Sequence, residues 1–147
     1  MDNYSEKAVD SFRNGYNCAQ SVLLTFAGKI GLTDDEALRL ASSFGGGMGR
    51  LREVCGAVSA MFMIAGFLKG YTEPDNDIAK ANHYKLIQDL ATEFKSKYGT
   101  IICRELLGLD GTEFSPVPSV RTDEYYKERP CEAFIRCAAM IVEEELL

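Results

Sequence analysis

The sequence has little of what most functional classes require. It has no apolar run long enough to cross a membrane. The longest, Val54 to Leu68, is about 15 residues, whereas a span needs ~20, so it is expected to be a buried core helix with no membrane insertion. The first residues, Met1 to Lys7, are polar and acidic and carry no secretory signal pattern. There is no basic run, and the net charge of −6 argues against nucleic acid as a partner. The single histidine, His83, has no second histidine and no serine motif to work with, so a hydrolase triad finds no support. No Cys-x-x-Cys occurs, which removes local dithiol chemistry of the thioredoxin type, and no Cys-x-x-Cys-His, which removes covalent haem attachment. Closely spaced ligand pairs for a zinc ribbon are also missing. No stretch alternates as a strand, and there is no internal repeat.

What remains is a chain of 147 residues, 46% hydrophobic, with charge of both signs. That composition fits one globular domain over residues 1–147. Five cysteines are too few for a secreted disulfide scaffold. A reducing, cytoplasmic setting is expected, with cysteines that react, bind a metal or pack rather than pair permanently.

The fold class expected is all-α, six to eight helices around a buried central one. A first helix covers Ser5 to Arg13. Asn17 caps a second, with Gln20 as its capping-box partner and Ala19, Val22, Leu23, Phe26 and Ile30 as its apolar stripe. Thr33 and Glu36 form a capping box for a third, which carries Ala37, Leu38, Leu40 and Ala41. The fourth spans roughly Glu53 to Lys69 and is apolar all round. A long helix runs from about Asn76 to Tyr98, with Ile78, Ala81, Leu86, Ile87, Leu90, Ala91, Phe94 and Tyr98 on its stripe. Thr100 restarts the chain as a short helix to Leu107. Residues Leu109 to Val120 read as a loop, with a turn of helix after it near Asp123 to Lys127. The last helix runs from Pro130 to about Glu145, and Glu143-Glu144-Glu145 forms its solvated end.

Four of the five cysteines fall where these helices begin: Cys18 after Asn17, Cys55 after the Phe44-Gly45-Gly46-Gly47-Met48-Gly49 segment, Cys103 after Thr100 and Cys131 after Pro130. A helix start has unpaired amides and the positive end of the dipole. A thiol there ionises more readily, and the thiolate is the form that attacks disulfides and binds metals. Cys55 has the strongest case, with Arg50 and Arg52 nearby and Gly56 leaving room beside it. Cys137 lies about 120° from Cys131 around the last helix and reads as core. The glycine segment lacks the Lys-Ser/Thr ending and the preceding strand of a phosphate loop. Gly45, Gly46, Gly47 and Gly49 are expected instead to turn the chain tightly and border the cysteine site. His83 and the methionines Met48, Met61, Met63 and Met140 read as structural or packing residues.

Asn17-Cys18-Ala19-Gln20, Phe44-Gly45-Gly46-Gly47-Met48-Gly49, Cys55-Gly56-Ala57, Cys103-Arg104-Glu105-Leu106-Leu107-Gly108 and Cys131 together resemble the small bacterial and archaeal family named for its C_GCAxxG_C_C cysteine pattern. The likeness runs over nearly the whole chain. It implies a helical, redox-active protein whose characteristic cysteines correspond here to Cys18, Cys55, Cys103 and Cys131, with Cys137 an extra. It also implies a helical unit similar to part of a multihaem cytochrome, and genes often found near transport genes. One departure is Ala60, where the motif closes with glycine.

Three functions stay open on the sequence. The leading one is a thiol redox protein, a thiol/disulfide oxidoreductase, in which Cys18, Cys55, Cys103 and Cys131 gather at one site, Cys55 being the low-pKa nucleophile. The second is an electron-transfer or binding protein with the same four cysteines as ligands of a metal ion or iron–sulfur cluster. The third is a structural helical domain. The redox partner or small-molecule substrate is not readable, and the Gly/Ala-rich fourth helix would also allow a homo-oligomer.

Overall fold

A computed structural model of the chain describes residues 3–109, 115–128 and 130–147. The elements in order are α1 (Tyr4–Arg13), α2 (Cys18–Phe26), α3 (Asp34–Ala41), α4 (Gly45–Met48), α5 (Gly56–Lys69), α6 (Asp77–Tyr98), α7 (Cys103–Leu106), α8 (Asp123–Glu128) and α9 (Cys131–Leu146), with short 3-10 turns after α2 and α3. The all-α class holds. Among the described residues there are no strands, only an isolated antiparallel bridge between Val54 and Ile102. No described helix is long and apolar enough to cross a membrane.

Local chemistry sets most helix starts. Asn17 accepts from the Gln20 amide at 2.8 Å while the Gln20 side chain accepts from the Asn17 amide at 3.1 Å. Thr33 and Glu36 repeat the arrangement, and Asn3 and Asn76 cap α1 and α6. Each such cap stabilises by about 1 kcal/mol. The buried side chains form one hydrophobic cluster, which includes Phe12, Phe26, Met61 and Phe94. Helix α5 lies at its centre, packed on α2, α9 and α6.

Four boundaries or stripes differ from the sequence reading. Helix α5 begins at Gly56 rather than Glu53, because residues 53–55 are extended and hydrogen-bonded to 101–103: the Cys55 amide donates to Ile101 at 2.8 Å and the Cys103 amide donates to Glu53. Thr100 is not the cap of α7. Its hydroxyl accepts from Ile102 and donates to Glu105, and Ile102 takes the cap position. Pro130 caps α9 from outside rather than opening it. The first turns of α6 leave the core, so Ile78 is 77% exposed and Ala81 is exposed, while Leu90, Ala91 and Phe94 are buried and Leu86, Ile87 and Tyr98 are partly buried against the core. Leu40 and Met140 are also exposed. The loop expected over 109–120 lies partly outside the described residues; 115–120 has no regular structure.

The segment α4 is a single turn of the wrong hand. Gly46, Gly47, Met48, Gly49 and Arg50 all have φ between 60° and 73°, and Arg52 has φ 62°. Left-handed backbone costs a residue with a Cβ roughly 1–2 kcal/mol, so Met48, Arg50 and Arg52 are each held there against their preference. Amides of Arg52 and Glu53 donate back to Gly46 and Gly47 at 3.2 and 2.9 Å and lock the turn.

Gly47 and Gly31 have nearly the same φ, +73° and +77°, but different surroundings. A Cβ on Gly31 meets nothing within 4 Å, whereas one on Gly47 would lie 2.6 Å from the Cys103 Cβ and 2.8 Å from the Arg52 Cα. Gly31→Ala is therefore expected to cost about 1–2 kcal/mol from φ alone. Gly47→Ala should cost about 1–3 kcal/mol more from the clash. Urea denaturation of the two variants checks the difference; equal losses would show that the α4 turn does not need the missing side chain.

Candidate functional site

Every one of the four helix-start cysteines is where the sequence places it. Cys18, Cys103 and Cys131 are the first residues of α2, α7 and α9, and Cys55 is the cap residue of α5. The fold then brings the four starts together. The short bridge at Val54 and Ile102 sets Cys55 and Cys103 on adjacent extended segments. The left-handed α4 turn passes directly over Cys103, which only a glycine at position 47 permits. Gly56 does the same between α5 and α2: a Cβ there would meet the Phe44 carbonyl at 2.8 Å, the Ala19 amide at 3.0 Å and the Cys18 Cβ at 3.3 Å. The space expected beside Cys55 is thus filled by the start of α2, which carries Cys18. On the remaining side, Arg13 holds Glu132 with two bonds of 2.8 and 2.9 Å, tying the end of α1 to the first turn of α9 next to Cys131. That guanidinium keeps the Glu132 carboxyl below its ordinary range.

Cys18, Cys55, Cys103 and Cys131 line one small cavity of about 70 Å³. Its apolar walls include Phe12, Leu106, Leu107 and Phe134, and Gly46, Gly47 and Gly56 supply backbone. Gly45 and Gly49 stand further out and do not line it. Two arginines reach it. Arg52 is 8% exposed and donates from its guanidinium to the Cys103 sulfur at 3.7 Å. The sequence reading assigned Arg52 to Cys55, and the structure assigns it to Cys103. Arg121, which the sequence reading passed over, donates to the Phe12 and Tyr16 carbonyls at the end of α1. Its guanidinium lies 4.4 Å from the centre of the Phe12 ring. Nothing in the proline-containing segment before it signals that contact.

The sulfurs are not equivalent. The Cys18 thiol hydrogen-bonds to Cys131, and this bond, with burial and the other three sulfurs, holds its proton well above the ordinary thiol range. Cys55 is pushed up to about 12 by burial. The helix-start amides of Val58 and Ala57 act on Cys55 in the opposite direction, as expected, but do not win. The expectation of a low-pKa Cys55 is therefore wrong: the dipole acts on the sulfur, and loss of water outweighs it. Cys137 is buried on α9 away from the cavity, as expected, and burial raises its pKa too. His83 packs edge-on against Tyr71 and lines a separate cleft. Ala60 is fully buried and does not line the cysteine cavity, so its methyl belongs to the core. Among the described residues, no three Cys, His, Asp or Glu side chains stand as a ready ligand set for a metal ion.

A family model described as a putative redox-active protein, C_GCAxxG_C_C, matches residues 16–145. No curated protein and no solved structure matches the chain.

The raised Cys55 pKa has a consequence for stability. The folded protein keeps a proton that the unfolded chain releases above the ordinary value of 9.0. Its contribution is complete below about pH 9 and is lost as pH rises toward about 12, at about 1.4 kcal/mol per pH unit. Urea denaturation of the reduced protein between about pH 9 and about pH 11 should show a steeper loss for the wild type than for Cys55→Ala. Parallel slopes would mean that the Cys55 thiol ionises as easily folded as unfolded.

Proposed function

The chain belongs to the C_GCAxxG_C_C family, and on that premise we propose that it is a thiol–disulfide redox protein in which Cys18 and Cys131 are the exchanging pair. One observation carries this reading: the Cys18 thiol is hydrogen-bonded to Cys131 inside a cavity that all four helix-start cysteines share. Sulfurs that share one cavity can pair by closing to the ~2.05 Å of an S–S bond.

Cys18 holds its proton above the ordinary thiol range, so the negative charge on the pair is assigned to Cys131. Cys131 also opens a 16-residue helix, whose start favours an anion. Attack by Cys131 on a partner disulfide gives a mixed disulfide and releases one thiolate. Cys18 then attacks the Cys131 sulfur, forming the Cys18–Cys131 bond and releasing the second thiolate. Two protein thiols lose two electrons and two protons, and one partner disulfide becomes two thiols. The reverse sequence reduces the protein.

Cys103, served by the Arg52 guanidinium, and Cys55, protonated and deep, stand beside the pair. Charge-assisted donation of this kind favours an anionic sulfur.

Mild oxidation of the reduced native protein should give a Cys18–Cys131 disulfide, read by peptide mapping under non-reducing conditions. Cys18→Ser and Cys131→Ser should each lose it, and Cys137→Ser should keep it. Absence of that crosslink in the folded wild type, or a stoichiometric metal released only when all four sulfurs are alkylated, would overturn the reading.

A further inference from the structure

A second cavity of about 400 Å³ adjoins the cysteine cavity and shares Asn17, Arg52 and Arg121 with it. Arg50, Arg52 and Arg121 all line it, and among the described residues no Asp or Glu does. In a chain of net charge −6 this is a local excess of the opposite sign. Among the described residues none of the three arginines pairs with a carboxylate. Arg52 donates to the Cys103 sulfur, Arg121 to the Phe12 and Tyr16 carbonyls, and Arg50 only to the Ser119 hydroxyl at 3.5 Å. Each guanidinium has five N–H donors, so all three keep some for a ligand. Ser42 and Ser119 at the rim are exposed, so the cavity is open to solvent.

The backbone supports the same conclusion. Arg50 and Arg52 sit at φ 64° and 62°, a conformation that disfavours side chains, and both reach this cavity. Backbone strain of this kind concentrates at ligand sites, where the surrounding structure holds it. Three neighbouring cations with no counter-charge among the described residues suit a ligand with two or more carboxylate or phosphate groups, which guanidinium forks bind well.

We propose that this cavity is an antechamber that binds a small anionic disulfide, and its reduced thiol, with the sulfur turned toward Cys18 and Cys131. The inference rests on the redox reading above and names its partner class. The ligand disulfide is the oxidant: it takes two electrons and two protons from the protein pair and leaves as two anionic thiols.

Three disulfides differing in charge test this. Oxidised glutathione is anionic, hydroxyethyl disulfide neutral and cystamine cationic. Stopped-flow oxidation of the reduced protein should rank them in that order after correction for their intrinsic reactivity toward a free thiol. Arg50→Gln should lower the ratio of anionic to neutral rates by roughly tenfold, the worth of one charge-assisted hydrogen bond, and Arg50→Lys should restore part of it. Equal corrected rates for the three disulfides, or a ratio that Arg50→Gln does not move, would overturn the antechamber and leave the Cys18–Cys131 pair standing. Calorimetric binding of S-methylglutathione, which is anionic but cannot exchange, separates the two failures. Binding that weakens in Arg50→Gln upholds the anion site even if no disulfide oxidises the pair, and no binding to the reduced wild type overturns it.

Discussion

Close backbone approach at two glycines is the constraint on which the site depends. Four helix starts can share one cavity only if their chains come nearer than side chains normally allow. At Gly56 the start of α5 lies against the Ala19 amide and Cys18. At Gly47 the left-handed turn lies against Cys103 and its own continuation at Arg52 and Glu53. Neither contact survives an added methyl without movement. The strained φ values at Met48, Arg50 and Arg52 follow from the same demand. A right-handed turn would not carry the chain over Cys103 and back into the extended stretch that pairs with Ile101 and Cys103. Packing of α5 against α2, α9 and α6 supplies the stability that holds such a turn in place.

The electrostatics of the cavity are a contest between two effects with opposite sign. Helix-start amides and arginines favour charged sulfur, and burial disfavours it. At Cys55 the outcome is plain: two amides lower the pKa, and burial still carries it up to about 12. A cavity of about 70 Å³ holds too little water to solvate an anion as bulk solvent would. Charge must therefore be stabilised by fixed groups, and the one such donor seen on a sulfur is the Arg52 guanidinium at Cys103. Reactivity in such a site is a property of the set rather than of one activated thiol.

Most of the fold was legible because most of it is local. The Asn17–Gln20 and Thr33–Glu36 boxes are read within four residues of sequence, and they mark α2 and α3 where the structure has them. The cysteines at helix starts were found for the same reason. What the sequence hid depends on distant partners. Three extended residues at 53–55 are too few to show alternation, and only their hydrogen bonds to 101–103 keep them out of α5. The stripe of α6 continues through Ile78 and Ala81, but both of these side chains are exposed. The glycines announced a tight turn, while the left-handed state of Met48, Arg50 and Arg52 is imposed by tertiary contact. The Cys55 ionisation was misjudged because a helix start is visible in sequence and the depth of burial is not.

Depth also bears on what the site can meet. The sulfurs stand behind a neck formed by Asn17, Arg52 and Arg121, and the inner cavity is too small for a bulky chain. Arg121 lines both cavities and is anchored on the Phe12 and Tyr16 carbonyls and stacked on the Phe12 ring. On the proposed reading, a slender ligand leaves its charged groups among the arginines outside and presents only its sulfur to the inner cavity. On that reading the same arginines would serve twice, holding the incoming anion and stabilising the thiolate that leaves when the bond is exchanged.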